Sequence, residues 1–259
     1  MNISDILLGA AIIIAAPAVN RVGEAKAQQI HPDQVVVDSP FVHDPVLAYE
    51  NGKYYLYSTG HGISQMTSAD RKHWTLCREG VLKNHEIPAW THDSVPGFHT
   101  HIWAPDVIHY RNKWYLAYSC STFGKNTSAI GLLSNTSLAN MNGWKDEGCI
   151  LASEGKRDNW NAIDPNFVID DKGNPWMTWG SFWDGIQLVK LDKKTMHVKK
   201  GAKPQTIARR HAFGDASAEL NPTSKFAGTN AIEAPFIMKH GDYYYLFVSW
   251  DYCCRGIKS

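Results

Sequence analysis

Four segments of the chain repeat one pattern: a proline with an acid at or near it, a β-rich strand, a tight turn and a second strand. Asp44-Pro45-Val46-Leu47 runs into Gly52-Lys53-Tyr54-Tyr55-Leu56-Tyr57-Ser58, and Ala104-Pro105-Asp106-Val107 into Asn112-Lys113-Trp114-Tyr115-Leu116-Ala117-Tyr118-Ser119. Asp164-Pro165-Asn166-Phe167 runs into Gly173-Asn174-Pro175-Trp176-Met177-Thr178-Trp179, and Glu233-Ala234-Pro235-Phe236 into Gly241-Asp242-Tyr243-Tyr244-Tyr245-Leu246-Phe247. The prolines are spaced by 60, 60 and 70 residues. Four-stranded propeller blades recur every ~40–50 residues and loops lengthen that spacing, whereas a sandwich requires no repeat. No long stretch after residue 30 has helical periodicity, so the expected class is all-β. In a propeller the first strand of each blade lines the axis, and equivalent residues of different blades converge on one cleft.

Outer strands are expected at 63–67 and 74–82 in the first blade, 129–134 and 143–152 in the second, and 186–191 and 197–207 in the third. The fourth stops after Tyr245-Leu246-Phe247-Val248-Ser249. The expectation is therefore a five-bladed β-propeller with the fourth blade incomplete and the fifth absent from this chain, a deficit of roughly 90 residues at this spacing. Residues 28–259 would be the partial catalytic domain. Residues 1–27 read as a signal peptide, because the apolar run from Ile6 to Val19 ends near the small-x-small Ala25-Lys26-Ala27. That run is too short to span a bilayer, which needs ~20 apolar residues. A secreted or periplasmic protein without membrane attachment is expected. Five cysteines without CxxC spacing describe neither a zinc site nor a disulfide scaffold and allow at most two bridges.

The 26 basic and 25 acidic residues nearly cancel, which disfavours nucleic acid as a partner. Aromatics make up 12% of the chain, with ten Trp and eleven Tyr, and flat amphipathic rings suit an uncharged sugar. Asp44, Asp164 and Glu233 stand at or next to the repeat prolines, and a fold that aims this register at one axis would cluster them. Clustered carboxylates raise one another's pKa, so one acid stays protonated while another is ionised, the pair that glycoside hydrolysis uses. Trp90, Trp103, Trp160, Trp179 and Trp183 lie near these motifs and could stack on sugar faces.

His43-Asp44-Pro45, Trp103-Ala104-Pro105-Asp106, the run from Trp160 to Phe167, Gly180-Ser181-Phe182-Trp183-Asp184-Gly185-Ile186, Ile232-Glu233-Ala234-Pro235-Phe236 and Cys253-Cys254-Arg255-Gly256 together resemble glycoside hydrolase family 43, in particular its endo-1,5-α-L-arabinanases. The resemblance covers the chain from about residue 40. It implies an inverting propeller enzyme acting on arabinan, the side chain of pectin, as a monomer. Position by position, Asp44 would be the general base, Glu233 the general acid, and Asp164 the acid that tunes and orients Glu233. His43, Trp103, Phe123, Ser181, Phe182 and Trp183 would contact substrate. No cofactor is required for the chemistry, but the resemblance implies a structural calcium or other ion at the propeller centre, helped by a histidine beyond Ser259. Exo-acting α-L-arabinofuranosidase, β-xylosidase and a non-catalytic carbohydrate-binding propeller are the alternatives. Eight of the twelve histidines lie between residues 43 and 109, among them His92, His99 and His101, so a metallohydrolase was weighed as well, without HExxH or comparable spacing to support zinc. The chain has no GxSxG elbow and no Gly-rich phosphate loop.

Overall fold

The computed structural model describes residues 35–210 and 230–253. The expected signal peptide and most of the Cys253–Gly256 motif lie outside them. The first sheet contains β1 (Val35–Val37), β2 (Val46–Glu50), β3 (Lys53–Ser58), β5 (Ser64–Ser68) and β6 (Trp74–Cys77), while β4 (Gly60–His61) crosses to the second sheet. There it joins β7 (His101–Tyr110), β8 (Lys113–Cys120), β9 (Ser128–Asn135) and β10 (Lys145–Ser153). The third sheet holds β11 (Asn166–Ile169), β12 (Pro175–Trp179), β13 (Ile186–Lys190) and β14 (Gln205–Ala208), and the fourth β15 (Ile232–His240) and β16 (Tyr243–Trp250). Every pairing between these strands is antiparallel. The all-β reading holds.

Each repeat proline leads a hairpin whose turn is legible in the chain. Asn51 and Gly52 have φ of 49° and 83°, the two positive values that a two-residue type I′ turn needs. The third hairpin uses a longer turn held by Asp170, whose carboxylate accepts from the Lys172 and Asn174 amides and from Trp176 Nε1. Two outer strands are shorter than expected. Trp74–Cys77 ends early, and in the stretch 197–207 only Val198, bridged to Leu191, and the residues that begin Gln205–Ala208 pair with a neighbour.

Period-two alternation packs one sheet against the next. On β8 and β9, Leu116, Tyr118, Cys120, Ala129 and Leu133 face a core shared with Tyr55, Tyr57 and Ile63 of the first repeat. Their neighbours Tyr115, Ala117, Ile130 and Leu132 face a second core with Met177, Trp179 and Val189. The second sheet is thus buried on both faces. The two outermost repeats differ. Leu47 and Tyr49 of β2 are 49% and 56% exposed, and Phe236 and Phe247 of the fourth sheet are 49% and 53% exposed. The leading strands adjoin in order, β2 beside β7, β7 beside β11 and β11 beside β15, so their proline ends meet at one place.

Candidate active site

The four residues before the prolines, Asp44, Ala104, Asp164 and Ala234, have φ of 49°, 41°, 57° and 51°. A residue before proline normally adopts an extended backbone, and a left-handed one costs on the order of 1–3 kcal/mol. The same strain recurs in every repeat, and its consequence is visible. The four Xaa-Pro pairs, with Val46, Asp106, Asn166 and Phe236, line one pit of about 140 Å³.

Hydrogen bonds join successive repeats around this pit. Thr59, at the end of the first hairpin, donates through Oγ1 to Asp44 Oδ2 at 2.6 Å and accepts from the Ala104 amide at 2.9 Å. Because that amide occupies the oxygen as donor, the single hydroxyl proton is left for Asp44. Ser119 occupies the same place in the second repeat and accepts from the Asp164 amide at 3.0 Å. In the third repeat the place belongs to Gly180, whose amide donates to the Ile163 carbonyl as that of Thr59 does to His43. Gly180 has φ of 132°, and a Cβ there would lie 2.4 Å from the Gly185 carbonyl oxygen, so no hydroxyl can be carried. The Ala234 amide turns to Asp164 Oδ2 at 3.1 Å. Deeper in the pit, Asp106 Oδ2 accepts from the Phe167 amide at 2.6 Å and from Asn166 Nδ2 at 3.2 Å, and Asn166 Oδ1 accepts from the Ile237 amide at 2.8 Å.

The three expected acids come together. Burial pushes the Asp164 carboxyl well above its ordinary range, and the charges of Glu233 and then Asp44 push it the same way against the Ala234 hydrogen bond. Glu233 is also raised, mainly by burial and further by Asp44, while a 2.8 Å hydrogen bond from Ser181 and the nearby His43 oppose the rise. Asp106 is pushed up to about 7 by burial, against hydrogen bonds from Phe167, Asn166 and Val107. This set can hold a proton on one carboxyl beside an ionised one, the requirement for paired acid and base catalysis.

His43 Nε2 lies 3.5 Å from Asp44 Oδ1. Trp103 holds the register that Glu233 holds in the fourth repeat, and its Nε1 donates to His101 Nδ1 at 3.1 Å. Phe123, 82% exposed, stands on the loop after β8, and Ser181 and Phe182 on the equivalent loop after β12. Phe182 and Trp183 both have positive φ, and the loop is tied to the fourth sheet by the Phe182 amide and the Ile232 carbonyl. Trp183 corrects an expectation: at 2% exposure it is buried and offers almost no surface to a sugar. Trp179 is buried, with Trp160 edge-on against it, and Trp90 packs beside Tyr118, so these three rings serve the cores. Ser181 donates to Glu233 Oε2.

Among the described residues no three His, Cys, Asp or Glu side chains form a group that could hold a metal ion. Asp106, the acid deepest in the pit, already spends its Oδ2 on Phe167 and Asn166. The described residues therefore present no such group for a central calcium. His61 stacks on His85 at a centroid distance of 6.3 Å and meets His101 edge-on at 5.2 Å without forming a ligand set. Cys77, Cys120 and Cys149 are free thiols.

Residues 34–259 match Glycosyl hydrolases family 43. The chain belongs to that family. It is 42% identical over 217 residues to the extracellular exo-alpha-(1->5)-L-arabinofuranosidase ArbA of Cellvibrio japonicus, covering 83% of this chain and 60% of ArbA. It is 40% identical to the extracellular endo-alpha-(1->5)-L-arabinanase 1 of Bacillus subtilis, covering 84% of this chain and 62% of that protein. The crystal structure of an exo-1,5-alpha-L-arabinanase from a bovine ruminal metagenomic library superposes with a TM-score of 0.73 at 53% identity, over 85% of this chain and 68% of that one. This family 43 chain thus spans about three-fifths of the two sequence relatives' lengths.

Sequence reasoning missed Thr59, Ser119 and Gly180 as parts of the family 43 site. A signal was present, since Thr59, Ser119 and Ser249 each follow their repeat proline by 14 residues. The longer third turn delays Gly180 by one residue and hides the correspondence.

Proposed function

We propose that this chain is the greater part of a secreted, inverting arabinan hydrolase that cleaves internal α-1,5-linked L-arabinofuranosidic bonds. The observation that carries the reading is the convergence of Asp44, Asp164 and Glu233, from three repeats, in one electrostatically coupled group beside an open pit. In this reading Glu233, its carboxyl raised by burial and by Asp44, gives its proton to the leaving glycosidic oxygen. Asp44, oriented by Thr59, takes a proton from the water that attacks the anomeric carbon on the opposite face. Asp164 holds the Ala234 amide and so places the backbone next to Glu233. His43, Trp103, Phe123 and Phe182 are the substrate-facing side chains.

The architecture proposed with this chemistry is a five-bladed propeller. Half-exposed apolar faces on the first and fourth repeats, Leu47 and Tyr49 on one and Phe236 and Phe247 on the other, favour a further sheet packed between them. Secretion is supported by the extracellular relatives. Two relatives with exo names favour a second reading, in which the same three acids act from a chain end.

Hydrolysis of debranched arabinan by this chain tests the proposal. Asp44→Ala and Glu233→Ala should each lower kcat/KM by about 10²–10⁴-fold, and full activity in either would sink the assignment. A ladder of mid-sized oligosaccharides marks endo action, whereas a single small product from the first minutes marks exo action.

A further inference from the structure

A second cleft, of about 290 Å³, lies between the turn of the second hairpin and the outer strands of the third repeat. It is lined by Arg111, Lys190, Lys193, Lys194 and Lys199, with Asn174, Leu191 and Asp192. The stretch 190–203 holds six of the chain's 26 basic residues and one of its 25 acidic ones, leaving the remainder at net −4. Some cations elsewhere are paired, Lys145 with Glu147, Arg157 with Asp158, Arg210 with Asp251 and Lys239 with Asp171. Among the described residues none of the five cleft cations has a carboxylate partner. The acid at hand, Asp192, is occupied by the Lys194 and Thr195 amides. Parts of the cleft are fixed in place: Arg111 Nη1 donates to the Lys193 carbonyl, and Lys190 lies 5.2 Å from the centre of the Trp176 ring. Asp192 also faces Lys194 electrostatically, which leaves five cations against one acid; like charges repel, so a cleft that gathers such an excess is suited to an anion.

We infer that this cleft binds a polysaccharide whose sugars carry carboxylates, a polyuronide. The volume is at the small end of ligand sites and admits about one or two sugar rings. Its place favours an anchoring role. Arg111 follows β7, whose proline end lines the acidic pit, and six residues of strand set the two roughly 20 Å apart. A polyuronide held there leaves the pit free for an uncharged side chain. The choice of uronate as the anion rests on the arabinan reading, since arabinan is carried on the uronate backbone of pectin.

Calorimetric titration of the 259-residue chain with tetra- to hexagalacturonate at low salt tests the inference, with linear arabinohexaose, inorganic sulfate and a single-stranded oligonucleotide as comparisons. Oligogalacturonate should bind more tightly than the other three, and an Arg111→Ala/Lys199→Ala double variant, both positions exposed, should weaken it at least ~10-fold while hydrolysing linear arabinan at the parent rate. No binding of oligogalacturonate, or equal binding of sulfate or the oligonucleotide, would overturn it. Binding is read without hydrolysis, so an inactive chain that still binds counts against the arabinan reading, and an active chain that does not bind counts against the cleft.

Discussion

The joint between the second and third repeats and the joint between the third and fourth do the same mechanical job with exchanged chemistry. At the former, a hydroxyl, Ser119, takes the amide before the proline and a carboxyl, Asp106, takes the amide beyond it. At the latter, a carboxylate, Asp164, takes the first amide and a neutral carboxamide, Asn166, the second. The exchange moves an ionisable carboxyl from the floor of the pit to the neighbourhood of Glu233. Gly180 makes it possible, because a side chain at that position would collide with Gly185 and no hydroxyl is present to claim the Ala234 amide. A symmetric scaffold acquires an asymmetric site by losing one side chain, and the inter-repeat hydrogen bond that it would have made passes to a group with a second use.

The largest effect is expected where the two joints can be made alike. Asp106→Asn copies the Asn166 arrangement, keeping an acceptor for the Phe167 amide and removing the ionisable group. A carboxyl that titrates near 7 when folded, against roughly 4 when unfolded, contributes stability that is complete below pH 4 and lost as pH rises through 7, worth roughly 4 kcal/mol. Urea unfolding at pH 5 and pH 8 should show a loss of about 3 kcal/mol in the parent, since part of the change already lies below pH 5, and a much flatter dependence in the variant. An equally steep loss in the variant would assign the slope to other groups.

Next in size is the carboxylate joint. Asp164→Ala frees the Ala234 amide and lets the backbone beside Glu233 shift, and a misplacement of about 1 Å costs about 10²-fold in kcat/KM. Asp164→Asn separates position from ionisation, since its amide oxygen can still accept from Ala234. The charges of Glu233 and Asp44 raise Asp164, which stays protonated while Glu233 ionises. Asp164→Asn should therefore keep most of the activity that Asp164→Ala loses and leave the alkaline limb of the pH–rate profile in place. A limb moved to lower pH would show that Asp164 carries charge in the active enzyme.

How much of this was legible depended on which force wrote it. The hairpins were plain, because Asn51-Gly52 and the alternating Tyr54 to Ser58 leave the backbone few options. The gathering of Asp44, Asp164 and Glu233 was legible as well, because repetition converts sequence period into spatial equivalence. Side-chain facing was not. Trp103 and Trp183 look alike as tryptophans beside a motif, yet Trp103 is half-buried with its Nε1 on His101, while Trp183, in a loop with consecutive positive φ, is 2% exposed. The partner of Ser181 was not legible for a similar reason: a hydroxyl near a site carries no mark of the Glu233 carboxylate to which it donates.

The smallest effects lie at the first joint, where a hydroxyl serves both the scaffold and a proposed catalytic group. Thr59→Val strands the Ala104 amide and removes the hydrogen bond to Asp44. Stability should fall by about 1–3 kcal/mol and kcat by about 10-fold, with KM nearly unchanged, the value of one bond to a charged acceptor. Ser119→Ala strands the Asp164 amide and should cost similar stability with a smaller loss of kcat, because its hydroxyl bonds backbone rather than a reacting carboxylate. Thr59→Ser decides between packing and hydrogen bonding. It keeps the hydroxyl and loses one methyl at a partly buried position, so melting should drop by less than about 1 kcal/mol and kcat should stay near the parent value. If serine were as slow as valine, the threonine methyl and not its proton would be holding Asp44, and the first joint would belong with purely structural contacts.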